Sequence, residues 1–220
     1  MTAIAIDGPT SAGKSTIARR AAKELGFIYV DTGALYRTIG LSMLRRGIDL
    51  SDAGAVEQGL KGIQVSLRFQ NGEQRVMLGE EDVSGQIRTA EVSMAASKVS
   101  AVPAVRKFLF QLQRDMAETN NVVMDGRDIG TVVLPNAKVK IFLTASAEIR
   151  ARRRFEEMLA MGMKTTYEEV LSDLKKRDYN DSHREIAPLR PAEDAVMVDT
   201  SDDTLEQAVE KILKVIRAGM

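Results

Sequence analysis

The sequence predicts an α/β fold, a parallel sheet flanked by helices and built around a phosphate loop, with a small inserted region that contains a β-hairpin. Three observations carry this. Gly8-Pro9-Thr10-Ser11-Ala12-Gly13-Lys14-Ser15 is a G-x-x-x-x-G-K-S stretch set between the apolar run Ala3-Ile4-Ala5-Ile6-Asp7 and the helical pattern that starts at Thr16. Short apolar runs recur between helix-patterned segments, as strands covered on both faces require. From Ile63 the apolar period changes to two, through Val65, Leu67 and Phe69, before Asn71-Gly72 and a second run at Val76, Met77 and Leu78. That alternation around an Asn-Gly pair reads as a hairpin.

The loop explains its own flanks. Its glycines let the backbone approach a polyphosphate, and the helix that follows presents its positive dipole end to the same anion. Gly8, Pro9, Thr10, Ser11, Ala12, Gly13, Lys14, Ser15 and Thr16 are therefore the candidate ATP-binding residues, with Lys14 reaching the β and γ phosphates and the Ser15 hydroxyl ligating Mg²⁺. A helix from Ser15 to Leu25 ends at Gly26, and Phe27 to Val30 makes a second strand. Asp31-Thr32-Gly33 caps a helix whose apolar positions Leu35, Ile39, Met43 and Leu44 run toward a stop at Gly47. Ser51-Asp52 caps another short helix.

The hairpin interrupts the alternation of strand and helix, which makes residues 51–100 an insert within one domain whose core is 1–50 and 101–220. Val102-Pro103 opens a helix with proline in its first turn, reaching Glu118. Strands follow at Val122 to Asp125 and Val139 to Leu143. Ser146 starts an arginine-rich helix, Tyr167 to Asp181 forms another, and Ala195 to Val198 with Thr204 to Arg217 gives the last strand and helix.

Composition removes whole classes of function. The 220 residues carry 31 basic and 31 acidic side chains, so bulk charge gives no support for nucleic-acid or membrane binding. There is no cysteine and one histidine, which excludes disulfides, thiolate metal sites and imidazole clusters. No run approaches the ~18 apolar residues of a membrane span, and no signal-peptide pattern opens the chain. A cytoplasmic monomer acting on small molecules is the expectation.

What happens to the triphosphate is decided by other residues. Asp125 ends a strand with a carboxylate, as a group standing behind Mg²⁺ would, although aspartate after a strand is also an ordinary turn residue. No N-K-x-D follows to read guanine. Arginines are the stronger signal, because joining two phosphates needs permanent positive charge on both. Arg37, Arg127, Arg150, Arg153 and Arg154 are candidates, and Arg177, Asp181 and Arg184 fall at i, i+4 and i+7, on one face if the helix persists.

At these residues the chain resembles the bacterial cytidylate (CMP) kinases. The resemblance rests on Ile6-Asp7-Gly8-Pro9, Asp31-Thr32-Gly33-Ala34-Leu35-Tyr36-Arg37, Glu81 through Arg88, Asp125-Gly126-Arg127-Asp128-Ile129-Gly130-Thr131-Val132-Val133, and Arg177-Asp178 through Ala187-Pro188-Leu189. These blocks run in family order over nearly the whole length. The resemblance implies a nucleoside-monophosphate-kinase fold whose hairpin insert is the monophosphate-binding region. It further implies that Thr32, Arg37, Arg127 and Arg184 hold the CMP phosphate, that Ser97, Arg106 and Asp128 read cytosine, and that Arg177 and Asp181 contact the sugar. Arg150, Arg153 and Arg154 would lie in a lid segment, about 150–165, that closes over ATP. Lys14, Arg127, Arg150, Arg154 and Arg184 would be catalytic, with CMP or dCMP as acceptor. Two other readings stay open: a broader UMP/CMP or other small-molecule kinase, and a switch protein that binds ATP without transferring phosphate.

Overall fold

In the computed structural model, which describes residues 1–70 and 73–220, the chain divides into two compact units. One consists of residues 2–27 and 123–220. Here β1 (Ala3–Asp7) is buried from Ile4 onward and pairs in parallel with β7 (Val139–Thr144), Ile4 opposite Val139 and Asp7 opposite Phe142. β7 in turn pairs in parallel with β8 (Val196–Asp199), and β6 (Val122–Gly126), fully buried, completes the order β6-β1-β7-β8. Apolar residues fill β1 and β6, which are covered on both faces, whereas the edge strand β8 leaves Val196 and Met197 exposed.

Helix α1 (Lys14–Leu25) follows the phosphate loop and ends at Gly26, whose left-handed φ of 67° a side chain would strain. The closing helix α8 (Leu205–Gly219) begins at a Thr204/Gln207 capping box and buries Ala208, Val209, Ile212, Leu213 and Ile216, a helical stripe. Between β7 and β8 stand α6 (Ala147–Ala160), capped by Ser146, and α7 (Tyr167–His183), opened by a Thr166/Glu169 capping box. They share a small core of Ala151, Val170 and Leu174, ringed by Phe155, Met158 and Tyr167.

The other unit comprises Met1 and residues 28–122. It contains β2 (Ile28–Asp31), α2 (Thr32–Arg45), α3 (Ala53–Gly59), an antiparallel sheet of β3 (Val65–Gln70), β4 (Glu73–Leu78) and β5 (Glu81–Asp82), then α4 (Ala90–Val99) and α5 (Pro103–Thr119). Residues 51–100 thus pack in one unit with α2 and α5. Its core joins Leu35, Ile39 and Met43 of α2 to Val76, Val92, Val99, Val105 and Leu109. Gly40 lets α2 approach α4 closely, since a Cβ there would lie 3.0 Å from Ala95 Cβ.

The hairpin pairs Val65 with Leu78 and Gln70 with Glu73; the predicted turn residues Asn71-Gly72 lie outside the described residues. Its alternation buries Val65 and Leu67 only partly and leaves Phe69 38% exposed, because the core covers the sheet at one end. From the sequence no helix is assigned to this stretch, yet Thr89 caps α4 and Val92, Ala95, Ala96 and Val99 carry a helical period. Among the described residues no helix is long and apolar enough to cross a membrane.

Candidate active site

The phosphate loop leaves β1 pressed against β7. A Cβ on Gly8 would sit 2.0 Å from the Leu143 carbonyl oxygen, so only glycine fits. Ser11 (φ 59°) and Gly13 (φ 86°) are both left-handed, and backbone bent in this way forms a concave nest for an anion. Gly13 is the N-cap of α1 and no side chain caps that end, which leaves the first-turn amides to a ligand. Lys14 is 5% exposed and donates from Nζ to the Pro9 carbonyl at 2.6 Å. Burial, and next the nearby Arg127, push its ammonium down to about 7 against the pull of Asp125, Asp7 and Asp181. Ser15 Oγ donates to Asp125 Oδ2 at 2.9 Å, so the loop hydroxyl and the carboxylate at the end of β6 form one pair.

Beyond Asp125 the chain delivers charge in alternating signs. Arg127 donates from Nε to Asp181 Oδ2 at 2.8 Å and from Nη2 to Thr10 Oγ1 at 2.9 Å. Asp128 is 4% exposed and accepts from Arg184 Nη2 at 3.3 Å. Burial works against ionisation of Asp181, yet Arg127, Arg184 and Arg177 hold its carboxyl below the usual range. Burial likewise opposes the charge of Arg127, and Asp181, Asp125 and Asp178 more than restore it. Arg150 is buried under the loop, bonding to the Thr10 carbonyl at 2.9 Å and to Asp178 Oδ2 at 2.6 Å, while Asp178 Oδ1 accepts from the Thr10 amide at 3.2 Å.

Arg184 arrives by a different route from the one its spacing predicts. Helix α7 stops at His183, so Arg177 and Asp181 share the helix and Arg184 does not; it is extended, with φ −67° and ψ 143°. A turn that is left-handed at Ala187 (φ 51°) brings the Ala187 carbonyl to Arg184 Nε at 2.7 Å and fixes the guanidinium.

The other unit gathers its own set. Asp31 caps α2 through Oδ1, accepting from the Ala34 amide at 2.9 Å, and holds Arg37 Nη2 through Oδ2 at 2.8 Å. The buried Arg37 Nε has no partner, and Thr32 is buried in the first turn of the same helix. Gln74 on β4 clasps the backbone of Asp31, accepting from its amide at 2.9 Å and donating to its carbonyl at 3.4 Å. Arg106 lies over the Tyr36 ring at 5.7 Å and reaches the Ser100 carbonyl at 3.4 Å; Ser100 Oγ donates to the Ser97 carbonyl at 2.9 Å. Arg106 is thus tied to the end of α4 that carries Ser97.

Two arginines of the expected lid are engaged elsewhere. Arg154 bonds to Glu157 on its own helix at 2.7 Å, and Arg153 reaches the Thr200 carbonyl at 2.6 Å. Sequence reasoning missed Gln74, whose only signal is a polar residue in a strand, and Asp7, which accepts from the amides of Ile129 and Gly130 at 2.8 and 2.7 Å.

The sequence model of the family "Cytidylate kinase" matches residues 4–218. Cytidylate kinase from Carboxydothermus hydrogenoformans is 51% identical over 213 residues, 97% of this chain and 96% of the relative. That from Caldanaerobacter subterraneus subsp. tengcongensis is 52% identical over 214 residues, 97% and 94% of the two chains. A crystal structure of an uncharacterized protein from Eubacterium ventriosum, 14% identical with a TM-score of 0.53 over 99% of this chain and 98% of its own, shares the fold. Matched by the family model over nearly its whole length and about half identical to these relatives across 97% of its residues, the chain belongs to the cytidylate kinase family.

Proposed function

We propose that this protein is an ATP-dependent nucleoside monophosphate kinase that transfers the γ-phosphoryl group of ATP to CMP or dCMP. One observation carries the reading: the short segment Asp125–Asp128 bonds at one end to Ser15 of the phosphate loop and at the other to the Asp181 and Arg184 side chains. Donor-side and acceptor-side chemistry are thereby tied to one strand end. Gly8 to Thr16 cradle the triphosphate, and Lys14 neutralises the transferring group.

Magnesium fits this donor set. Among the described residues no cluster of three or more carboxylates and histidines exists, and a hydroxyl bonded to a carboxylate suits an ion that takes most of its ligands from substrate phosphates and water. Ser15 would hold it with Asp125 behind; when bound it supplies charge neutralisation. The acceptor needs no base, because a phosphate monoester has its second pKa near ~6 and is already nucleophilic at neutral pH.

Thr32, Arg37, Arg127 and Arg184 hold the acceptor phosphate in this reading, the three arginines exchanging internal carboxylate partners for phosphate oxygens. Asp128 accepts from the cytosine N4 amino group, Arg106 and Ser97 face its acceptor edge, and Arg177 with Asp181 meet the sugar. Residues 51–100 serve the monophosphate side, and 150–165 form a lid over ATP.

A coupled ADP-release assay with Mg-ATP over a panel of nucleoside monophosphates tests this. CMP and dCMP should support turnover well above UMP, AMP and GMP. Equal use of UMP would replace the reading with a broader pyrimidine kinase, and no ADP release with any acceptor would overturn the kinase assignment.

A further inference from the structure

After β6 the chain turns through a single wide helical turn at Ile129–Val133, with Asp128 at its N-terminus. Asp128 is a residue type that caps helices well, yet its side chain makes no capping bond; its carboxylate faces Arg184 at 3.3 Å. The turn still closes on Asp128 through the main chain, since the amides of Val132 and Val133 donate to the Asp128 carbonyl at 2.9 and 3.2 Å. Its leading amides are satisfied from far away in sequence. Ile129 donates to Asp7 Oδ1 at 2.8 Å and Gly130 to Asp7 Oδ2 at 2.7 Å, across 122 and 123 residues.

From this geometry we infer that Asp7 is a positioning residue for acceptor recognition: it caps the 129–133 turn from β1, so that the Asp128 carboxylate is left for Arg184 and the acceptor nucleotide. The inference rests on the reading that the Asp125–Asp128 segment meets the acceptor. Both Asp7 oxygens accept short bonds, an arrangement that suits an ionised carboxylate with two acceptor oxygens. The charge is kept against its surroundings. Burial, aided by Asp128, outweighs the Gly130 and Ile129 amides and the Lys14 ammonium, so that the Asp7 carboxyl is pushed up to about 6. A buried ionised group held at such cost beside a site is a mark of function.

A general structural role would disturb ATP and acceptor alike, since Asp7 directly precedes the phosphate loop. The positioning role would not. Asp7→Asn keeps the shape and one acceptor oxygen but sets an amide donor against one of the two backbone donors. The test is steady-state kinetics of Asp7→Asn and Asp128→Asn with ATP, CMP and UMP, with Tm measured for each variant. For Asp7→Asn, KM for CMP should rise about 5- to 30-fold, as loss of a charge-assisted hydrogen bond predicts, with KM for ATP within about twofold of the parent. An equal or larger rise in KM for ATP overturns the inference, as does an unchanged KM for CMP.

The two readings fail separately. If Asp128→Asn leaves the CMP/UMP ratio unchanged, Asp128 is not a base contact, while an equal rise in KM for CMP and UMP in Asp7→Asn, with KM for ATP unchanged, still supports positioning of the Asp128–Arg184 pair. If Asp128→Asn moves the ratio and Asp7→Asn moves neither the ratio nor KM for CMP, positioning falls and base reading stands. Should Asp7→Asn fail to fold, Asp7→Glu keeps the charge but displaces the carboxylate by one methylene against the two amides it now meets at 2.8 and 2.7 Å. It should raise KM for CMP in the same direction, and parent-like kinetics in Asp7→Glu would overturn the inference.

Discussion

The phosphate loop and the 125–133 segment are both turns that leave the ends of buried strands, and they are held in opposite ways. The loop is written in one contiguous stretch: Gly8 clears Leu143, Ser11 and Gly13 supply left-handed backbone, and α1 follows at once. The 125–133 segment owes its shape to distant partners, namely Asp7 on its amides, Asp181 on Arg127 and Arg184 on Asp128. The difference separates two tasks. A polyphosphate can be bound by backbone amides and needs little side-chain identity, whereas an acceptor is distinguished by side chains, and side chains must be fixed by others.

The strongest way to break this comparison is to remove the one loop side chain that carries charge. Lys14→Met keeps a long chain but loses the ammonium, and kcat should fall at least about 100-fold while Tm changes little, since the group acts on charge that develops in transfer. Single-turnover rates measure it directly. Near-parent kcat would mean that the loop works through its backbone alone.

On the other side of the comparison, Asp128→Asn should act on specificity more than on rate. A base-edge contact is worth about 1–3 kcal/mol, so the CMP over UMP ratio of kcat/KM should drop by roughly 5- to 150-fold, chiefly through poorer use of CMP. If both acceptors are impaired by the same factor, Asp128 serves only Arg184 and its neighbours.

These two regions also differ in how far the sequence discloses them. The strand-loop-helix order, the Asp31 cap of α2 and the Thr204 start of α8 were legible because each signal is confined to a few adjacent residues. Arg184 misled by its spacing: the i+7 position holds only while the helix continues, and nothing about alanine announces the left-handed turn at Ala187 that redirects the arginine. The clip from Asp7 was invisible for a deeper reason. Its partners are main-chain amides, which every residue but proline possesses, so no residue type marks the far end. Helix α4 was legible through Val92, Ala95, Ala96 and Val99, but as part of the 51–100 insert that stretch received no element of its own.

Gln74 offers a milder test, because it is a second case of recognition backbone held from a distance. Its amide brackets Asp31, which caps α2 and grips Arg37. Gln74→Ala should raise KM for CMP about 3- to 10-fold, near 1 kcal/mol for the bonds lost, and leave KM for ATP unchanged. Parent-like kinetics for both substrates would show that Asp31 needs no help from β4.

The smallest effect expected is also the most direct on the energetics of the Asp7 clip. Its carboxyl is raised from an ordinary 3.8 to about 6 in the folded protein, so between these values the folded state binds the extra proton. The stability this contributes is fully present below the unfolded value and is lost as pH rises through about 6. Two neighbours set its field: Asp128 raises it and Lys14 lowers it. The Lys14 ammonium, lowered to about 7, is still mostly protonated at pH 6.5, so measurements at pH 5 and 6.5 leave most of its titration aside. Over that interval the parent should lose about 1 kcal/mol relative to Asp7→Asn, which has no proton to release there. Urea unfolding of both proteins at the two pH values reads this difference. A constant gap between them would place the Asp7 carboxyl at its ordinary value and show that holding two amides costs this carboxylate nothing on burial.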